Sequence, residues 1–248
     1  MKRKEGHSGI YLLPNLLTTG SLFAAFYSIV ASLKAQYDVA VIAIFIGMIA
    51  DGLDGRIARM TNTQTAFGAE YDSLSDMVTF GVAPAVLLYS WTLEGLGKVG
   101  WLVAFSYTAA VALRLARFNT QLETADKGYF QGLACPAAAA ILSSFVWVCY
   151  VHDWSYAWNS VLAACLMVMS AILMVSNIRY HSFKQLDVKG KIRFLHVLLV
   201  VIGFIAIASN PSVMLCFASL SYALSGPVQT LIALHRMRRQ RTRVKKEK

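Results

Sequence analysis

The sequence predicts an all-α polytopic membrane protein of about eight transmembrane helices with both termini cytoplasmic. Three observations lead there. Hydrophobic residues make up 57% of the 248 and mean hydropathy is +0.54, whereas ordinary soluble domains carry about 45–50% apolar residues. Charged residues are 15%, and a soluble core of this size could not bury so much apolar surface. Apolar runs near the length needed to cross about 30 Å of hydrocarbon, roughly 20 residues, recur along the whole chain.

Eight such runs are read at 12–33, 37–57, 71–92, 98–118, 134–152, 156–176, 192–209 and 211–234. The first follows the basic start MKRKEGH, but its apolar stretch extends from Ile10 to about Leu33 with no small-residue cleavage site after it. That is too long for a signal-peptide core, so it is expected to remain as a helix. Pro14, close to its start, suits the opening of a helix. The second and third runs carry acidic residues where they face each other across a short connection. The fourth ends in Arg114 and Arg117, the fifth opens at Pro136, and the last gives way to a basic tail. Polar segments between the runs are short. We therefore expect a single transmembrane domain over residues 1–235 and a basic cytoplasmic tail over 236–248.

Charge supports this count. An even number of crossings puts both ends on one side, and all of the 23 lysines and arginines except Lys34 and Lys98 then fall on that side. Excess Lys and Arg mark the cytoplasmic face. The net charge of +10 is thus expected to meet anionic headgroups. No aromatic residue interrupts HRMRRQRTRVKKEK, and no nucleic-acid partner is expected. Cys135, Cys149, Cys165 and Cys216 are widely spaced and read as packing residues rather than disulfides or metal ligands. The small residues Ala137 to Ala140 permit close helix packing and suggest a homodimer face.

Acidic residues carry the functional reading. Of thirteen, five (Asp51, Asp54, Glu70, Asp72 and Asp76) fall within 26 residues joining the second and third runs. Acids inside spanning segments are costly and usually functional. On a helix, Asp51 and Asp54 lie about 60° apart and Asp72 and Asp76 about 40° apart. Each pair presents both carboxylates to one side, and an antiparallel hairpin brings the pairs face to face. Two like charges ~5 Å apart repel by roughly 3 kcal/mol at an effective dielectric of about 20. Four together require cations. All-oxygen ligation selects hard ions, Mg²⁺ or Mn²⁺ and also Ca²⁺, and a bridging set suits two metals in phosphoryl chemistry. Gly55 leaves room beside the helix backbone, Ala58 keeps that face open, and Arg59 stays charged to pair with phosphate. Gly68 is placed in the turn leading into the third run.

Read as a string, Asp51-x2-Asp54-Gly55-x2-Ala58-Arg59-x8-Gly68-x3-Asp72-x3-Asp76 resembles the signature of the CDP-alcohol phosphotransferases at all nine fixed positions. The resemblance implies transfer of a phosphatidyl-type group from a CDP-linked donor to an alcohol at a divalent-metal site, with release of CMP. It implies Asp51, Asp54 and Asp72 as metal ligands, and Asp76 as ligand of a second metal and general base. Gly55, Arg59 and Thr65 would contact the CDP-linked donor, and Asn15 and Thr18 of the Pro14-Asn15-Leu-Leu-Thr18 run would help seat its cytidine end. Arg114-Leu-Ala-Arg117-Phe-Asn119 and Gly128-Tyr-Phe-Gln-Gly132-Leu133 are similar to segments of bacterial membrane-type phosphatidylserine synthases. There the related pattern is G-L-P-x-P, whereas this chain has Ala134 and Cys135 before Pro136.

The expected reaction is therefore transfer of phosphatidyl from CDP-diacylglycerol to L-serine in the bacterial inner membrane, at a site facing the cytoplasm. Arg114, Arg117 and Asn119 are the candidates for holding serine. Two alternatives stay open: the same chemistry on another acceptor (glycerol 3-phosphate, inositol phosphate or choline), and a divalent-cation transporter. A transporter's ligands should lie near the bilayer midplane on broken helices, whereas these acids crowd at one end.

Overall fold

The computed structural model describes residues 12–121, 129–154, 156, 158–181 and 194–244. In chain order the elements are α1 (Leu12–Leu33), α2 (Tyr37–Met60), α3 (Ala66–Asp76), a π-helical turn (Met77–Val82), α4 (Ala83–Trp91), a 3₁₀ turn (Leu93–Leu96) and α5 (Lys98–Gln121). There follow β1 (Tyr129–Gln131), α6 (Cys135–Val151), α7 (Asn159–Val175), β2 (Arg179–His181), α8 (Phe194–Ser209) and α9 (Pro211–Val244). Each apolar run read from the sequence is helical over most of its length.

Hydrophobic side chains divide between a shared core and the outer surface. Phe80, Leu87, Leu88, Tyr107, Leu133, Leu142, Met167 and Met174 are completely or almost completely buried. Phe23, Phe26, Phe105, Ile172, Phe204 and Phe217 point outward and are mostly exposed. So many large exposed apolar side chains would be a liability in water and are what lipid contact requires. The protein is a membrane protein. Among the described residues, four helical stretches are long and apolar enough to cross a bilayer by themselves: Leu13–Leu33, Ala66–Trp91, Lys98–Thr120 and Pro211–Thr230. α6 and α7 are apolar but have 17 residues each, about 26 Å of rise. α2 has 24 residues, but its last turns are charged. Among the described residues, length and composition thus mark four of the eight expected runs as spans by themselves.

α1 packs along α2, α6 against α9, and α5 against α7. Ala138 and Ala139 are fully buried within the chain, so the small-residue run brings helices of one chain together. All four cysteines are free thiols. α9 continues as helix to Val244, through most of the segment read as a tail.

Two features depart from the sequence reading. One is a short antiparallel ladder of β1 with β2, pairing Phe130 with Tyr180, where only connections were expected. Gly132 ends it at φ +77°, and a methyl group on its Cα would run into the carbonyl oxygen of Met174. Only glycine satisfies both conditions. Tyr180, fully buried, donates its hydroxyl to the Ala223 carbonyl at 3.0 Å and ties the ladder to α9.

The other is the π-helical turn inside what is otherwise one continuous helix over residues 66–91. It begins one residue after Asp76. Tyr107 of α5, buried, donates its hydroxyl to the Phe80 carbonyl inside it at 2.8 Å. Thr79 lies 3.2 Å from Ser21 Oγ, which donates to the Gly47 carbonyl at 3.0 Å. The turn is thus held by polar contacts from α1 and α5, with Ser21 of α1 linking it to α2.

Candidate active site

The site lies where the last turns of α2 meet α3. Connection 61–65 is short, and Thr65 caps α3 by accepting the Gly68 N–H at 3.0 Å, a cap worth about 1 kcal/mol. Gly68 therefore sits in the first turn of α3 rather than in the preceding connection. A Cβ there would lie 3.0 Å from Thr65 Oγ1 and 3.3 Å from Asn15 Oδ1, so the glycine lets α3 start close against α1. The hairpin then faces the two pairs of aspartates toward each other. Oxygens of Asp51, Asp72 and Asp76 come within 4.8 Å of one another. Asp51 and Asp76 are within hydrogen-bonding range, and Asp54 is within electrostatic reach of all three.

Asp54 is held differently. It is buried, 4% exposed, and Thr18 Oγ1 donates to its Oδ2 at 2.6 Å. Ser75 in turn donates to the Thr18 carbonyl at 3.2 Å. α1 thereby fixes one carboxylate of α2 while α3 supplies two others.

Asp72 Oδ1 and Asp76 Oδ1 are buried without a hydrogen-bond donor. Buried polar atoms without partners are rare, and an uncompensated buried carboxylate costs several kcal/mol. A divalent cation supplies what both oxygens lack. Half-buried carboxylates, all with hard oxygen donors, fit an ion of the Mg²⁺ or Mn²⁺ type.

The remaining predicted site residues divide into near and far. Gly55 borders open space, with only Arg59 Nη1 near where its Cβ would be, at 3.6 Å; Arg59 is exposed. Asn15 lies beside Gly68, and Thr65 is at the α3 cap. Asn119 Nδ2 donates to Ser73 Oγ at 3.0 Å, which brings the end of α5 next to Asp72. Arg114 Nη1 donates to Cys135 Sγ at 3.2 Å, and its Nε is buried with no acceptor. Cys135 is also within electrostatic reach of Asp76. Arg117 points instead toward α7, donating from Nη2 to Asn177 Oδ1 at 2.7 Å.

Sequence reasoning missed the link from Thr18 to Asp54, the Ser73–Asn119 bond, and the place of Cys135 beside Arg114. Only the last left a trace, as the cysteine standing before Pro136. Lys184, Lys189, Lys191 and Arg193, which would suit a phosphorylated acceptor, lie outside the described residues.

Comparisons with known proteins agree with this geometry. A family model described as CDP-alcohol phosphatidyltransferase matches residues 11–176. The chain is 37% identical over 200 residues to a CDP-diacylglycerol–serine O-phosphatidyltransferase of Helicobacter pylori (strain ATCC 700392 / 26695), covering 79% of this chain and 82% of the relative. It is 31% identical over 235 residues to the protein so named in Mycobacterium leprae (strain TN), covering 92% and 76%. It is also 35% identical over 170 residues to an archaetidylserine synthase of Methanothermobacter thermautotrophicus, covering 68% and 69%. A bilayer-spanning chain whose facing aspartates fit a divalent cation, matched over two thirds of its length by one family, belongs to the CDP-alcohol phosphatidyltransferases.

Proposed function

We propose that the protein transfers the phosphatidyl group of CDP-diacylglycerol to the hydroxyl of L-serine, releasing CMP. The observation that carries this reading is the convergence of Asp51, Asp72 and Asp76 within 4.8 Å, with a buried oxygen of two of them lacking any donor. The names of the relatives from Helicobacter pylori and Mycobacterium leprae favour serine as acceptor. Two divalent cations, when bound, would neutralise the pyrophosphate of the donor and the charge on departing CMP.

The chain's own residues do the rest. Asp51, Asp54, Asp72 and Asp76 are the ligands, and Thr18 acts through Asp54 by fixing its carboxylate. Asp76 takes the proton of the serine hydroxyl. The serine oxygen then bonds to the phosphorus attached to diacylglycerol as that phosphorus loses its bond to the CMP oxygen. Gly55 leaves space for the donor's phosphates, and Arg59, Thr65 and Asn15 line the approach from the connection side. Arg114, with an unused Nε and its Nη1 on Cys135, and Asn119, bonded to Ser73, hold the serine carboxylate and amine; Arg117 stabilises the end of α5 from the α7 side.

The proposed setting is the bacterial inner membrane, with eight crossings, both termini cytoplasmic and the carboxylates at the cytoplasmic end. Donor acyl chains then stay in the bilayer while cytidine and serine approach from water. Purified protein should release CMP from CDP-diacylglycerol when L-serine and Mg²⁺ or Mn²⁺ are both present. Glycerol 3-phosphate, inositol phosphate and choline should not replace serine. Equal turnover with one of them would transfer the assignment to that acceptor.

A further inference from the structure

A second built site lies at the other end of the helices. From Asp76 to Trp91 the helix rises about 22 Å, and from Asp51 back to Tyr37 about 21 Å. There the ends of α4 and α6 and the start of α7 border a half-open pocket of about 260 Å³. Four aromatic side chains line it, Trp91, Tyr150, Trp154 and Tyr156, together with Asp153 and Asn159. No lysine or arginine is among its described lining residues.

Each aromatic wall is braced by a second ring. Trp91 meets Phe145 edge to face at 5.8 Å, and Tyr150 meets Tyr37 the same way at 5.7 Å. Trp154 lies 5.6 Å from the His152 ring, and Tyr156 stacks on Trp158 at 5.6 Å. The turn that carries Asp153 is equally fixed. Its φ is +49°, a left-handed conformation that Asp tolerates better than most side chains but that still costs energy. The Trp154 N–H bonds the Cys149 carbonyl at 2.9 Å. Asn159, 6% exposed, donates its side-chain amide to the Trp154 carbonyl. Glu94 lies within electrostatic reach of Tyr37 and adds a second negative charge behind the aromatic wall.

Aromatic faces carry negative quadrupole potential and attract cations, most strongly when several converge on a desolvated space, as in the cages that bind quaternary ammonium groups. Tryptophan and tyrosine at a membrane boundary also serve as plain interfacial anchors. Anchors need neither a pocket among them nor a carboxylate held in a strained turn. We propose that this pocket binds an alkylammonium cation, with Asp153 as its counter-charge and the four rings as its walls. The site is separate from the carboxylate centre and does not depend on the reaction assigned there. A bilayer lipid with a choline or ethanolamine headgroup, or a free amine, would offer the required chemistry.

The test uses the full-length protein in detergent, titrated with choline and separately with 3,3-dimethylbutan-1-ol, its uncharged carbon analogue, while tryptophan fluorescence is read. Choline should give a saturable change and the alcohol none. Asp153→Asn, which keeps a residue tolerant of the left-handed turn, should weaken choline binding about tenfold. Tyr156→Leu, at an exposed ring whose loss leaves the core intact, should weaken it similarly. CMP release should be unchanged in both variants. Equal responses to choline and the alcohol, no response to either, or a wild-type titration in Asp153→Asn would overturn the proposal. Repeating the titration in nanodiscs of phosphatidylglycerol alone and of phosphatidylglycerol with phosphatidylcholine identifies the source. Loss of the choline response in the second points to a lipid headgroup, and its persistence to a free amine.

Discussion

Thr18 and Asp76 do different work on the same group of carboxylates, and substitution should separate them. Asp76→Asn keeps the size of the side chain but removes a charge and the proton acceptor. CMP release should fall to background while CDP-diacylglycerol still binds, measurable by equilibrium binding of labelled donor; turnover near wild type would remove Asp76 from the proposed role. Thr18→Val leaves Asp54 buried without its 2.6 Å donor. Hydrogen bonds to charged groups are worth about 1.5–3 kcal/mol, so turnover should drop by roughly ten- to a hundredfold, with a raised metal requirement. Thr18→Ser, which keeps the hydroxyl, should restore most of it. This pairing was not legible in the sequence. Residues 36 apart on two helices give no sign of which hydroxyl meets which carboxylate. The carboxylates themselves were legible, because their spacing of three and four residues allows only one helical face each.

Among the elements, the helices were readable because apolar runs of near-constant length alternate with short polar stretches. α1 and the starts of α5 and α9 fall where the runs were placed, at Leu12, Lys98 and Pro211. The β1–β2 ladder and the π-helical turn were not readable, since neither has a periodic signature. Their causes are tertiary: Tyr180 bonded to α9, Tyr107 bonded to the Phe80 carbonyl, and Ser21 wedged between Gly47 and Thr79. Gly132→Ala meets both an unfavourable φ and the Met174 carbonyl. It should destabilise the protein by several kcal/mol, seen as a large fall in thermal midpoint and in folded yield. Tyr107→Phe loses only one buried hydrogen bond, about 1–3 kcal/mol for the orphaned carbonyl. It should fold, with a smaller fall in midpoint and reduced turnover because the turn adjoins Asp76.

For the molecule as a whole, two measurements bear on the proposed arrangement. Exhaustive chelation should abolish CMP release, and Mg²⁺ or Mn²⁺ should restore it, because four carboxylates in so small a volume need a multivalent counter-charge. Full activity after chelation would leave the carboxylate geometry without a purpose. Single cysteines introduced at positions 2 and 246 in a background lacking the four native ones should both react with an impermeant thiol reagent only from the cytoplasmic side. Opposite reactivity would require an odd number of crossings. The number of crossings is the part of the sequence reading that helix length alone supports least, and the reason is physical. α6 and α7, at 17 residues each, are short for a 30 Å hydrocarbon layer, and in the proposed eight-crossing arrangement neighbours or local thinning of the bilayer would make up the difference.

The π-helical turn behind Asp76 has a geometric result for the helix that contains it. An α-helix advances about 100° per residue, and a π-turn accommodates one residue more than an α-turn does. The acidic stretch and the apolar stretch of residues 66–91 are therefore out of phase by about one residue's rotation, as if two helices had been spliced with an offset. Removing one residue between Val78 and Val82 should erase the offset, giving an unbroken α-helix that still inserts in the bilayer. Its carboxylates would then be swung about 100° off the hairpin axis, and the protein would be folded but silent.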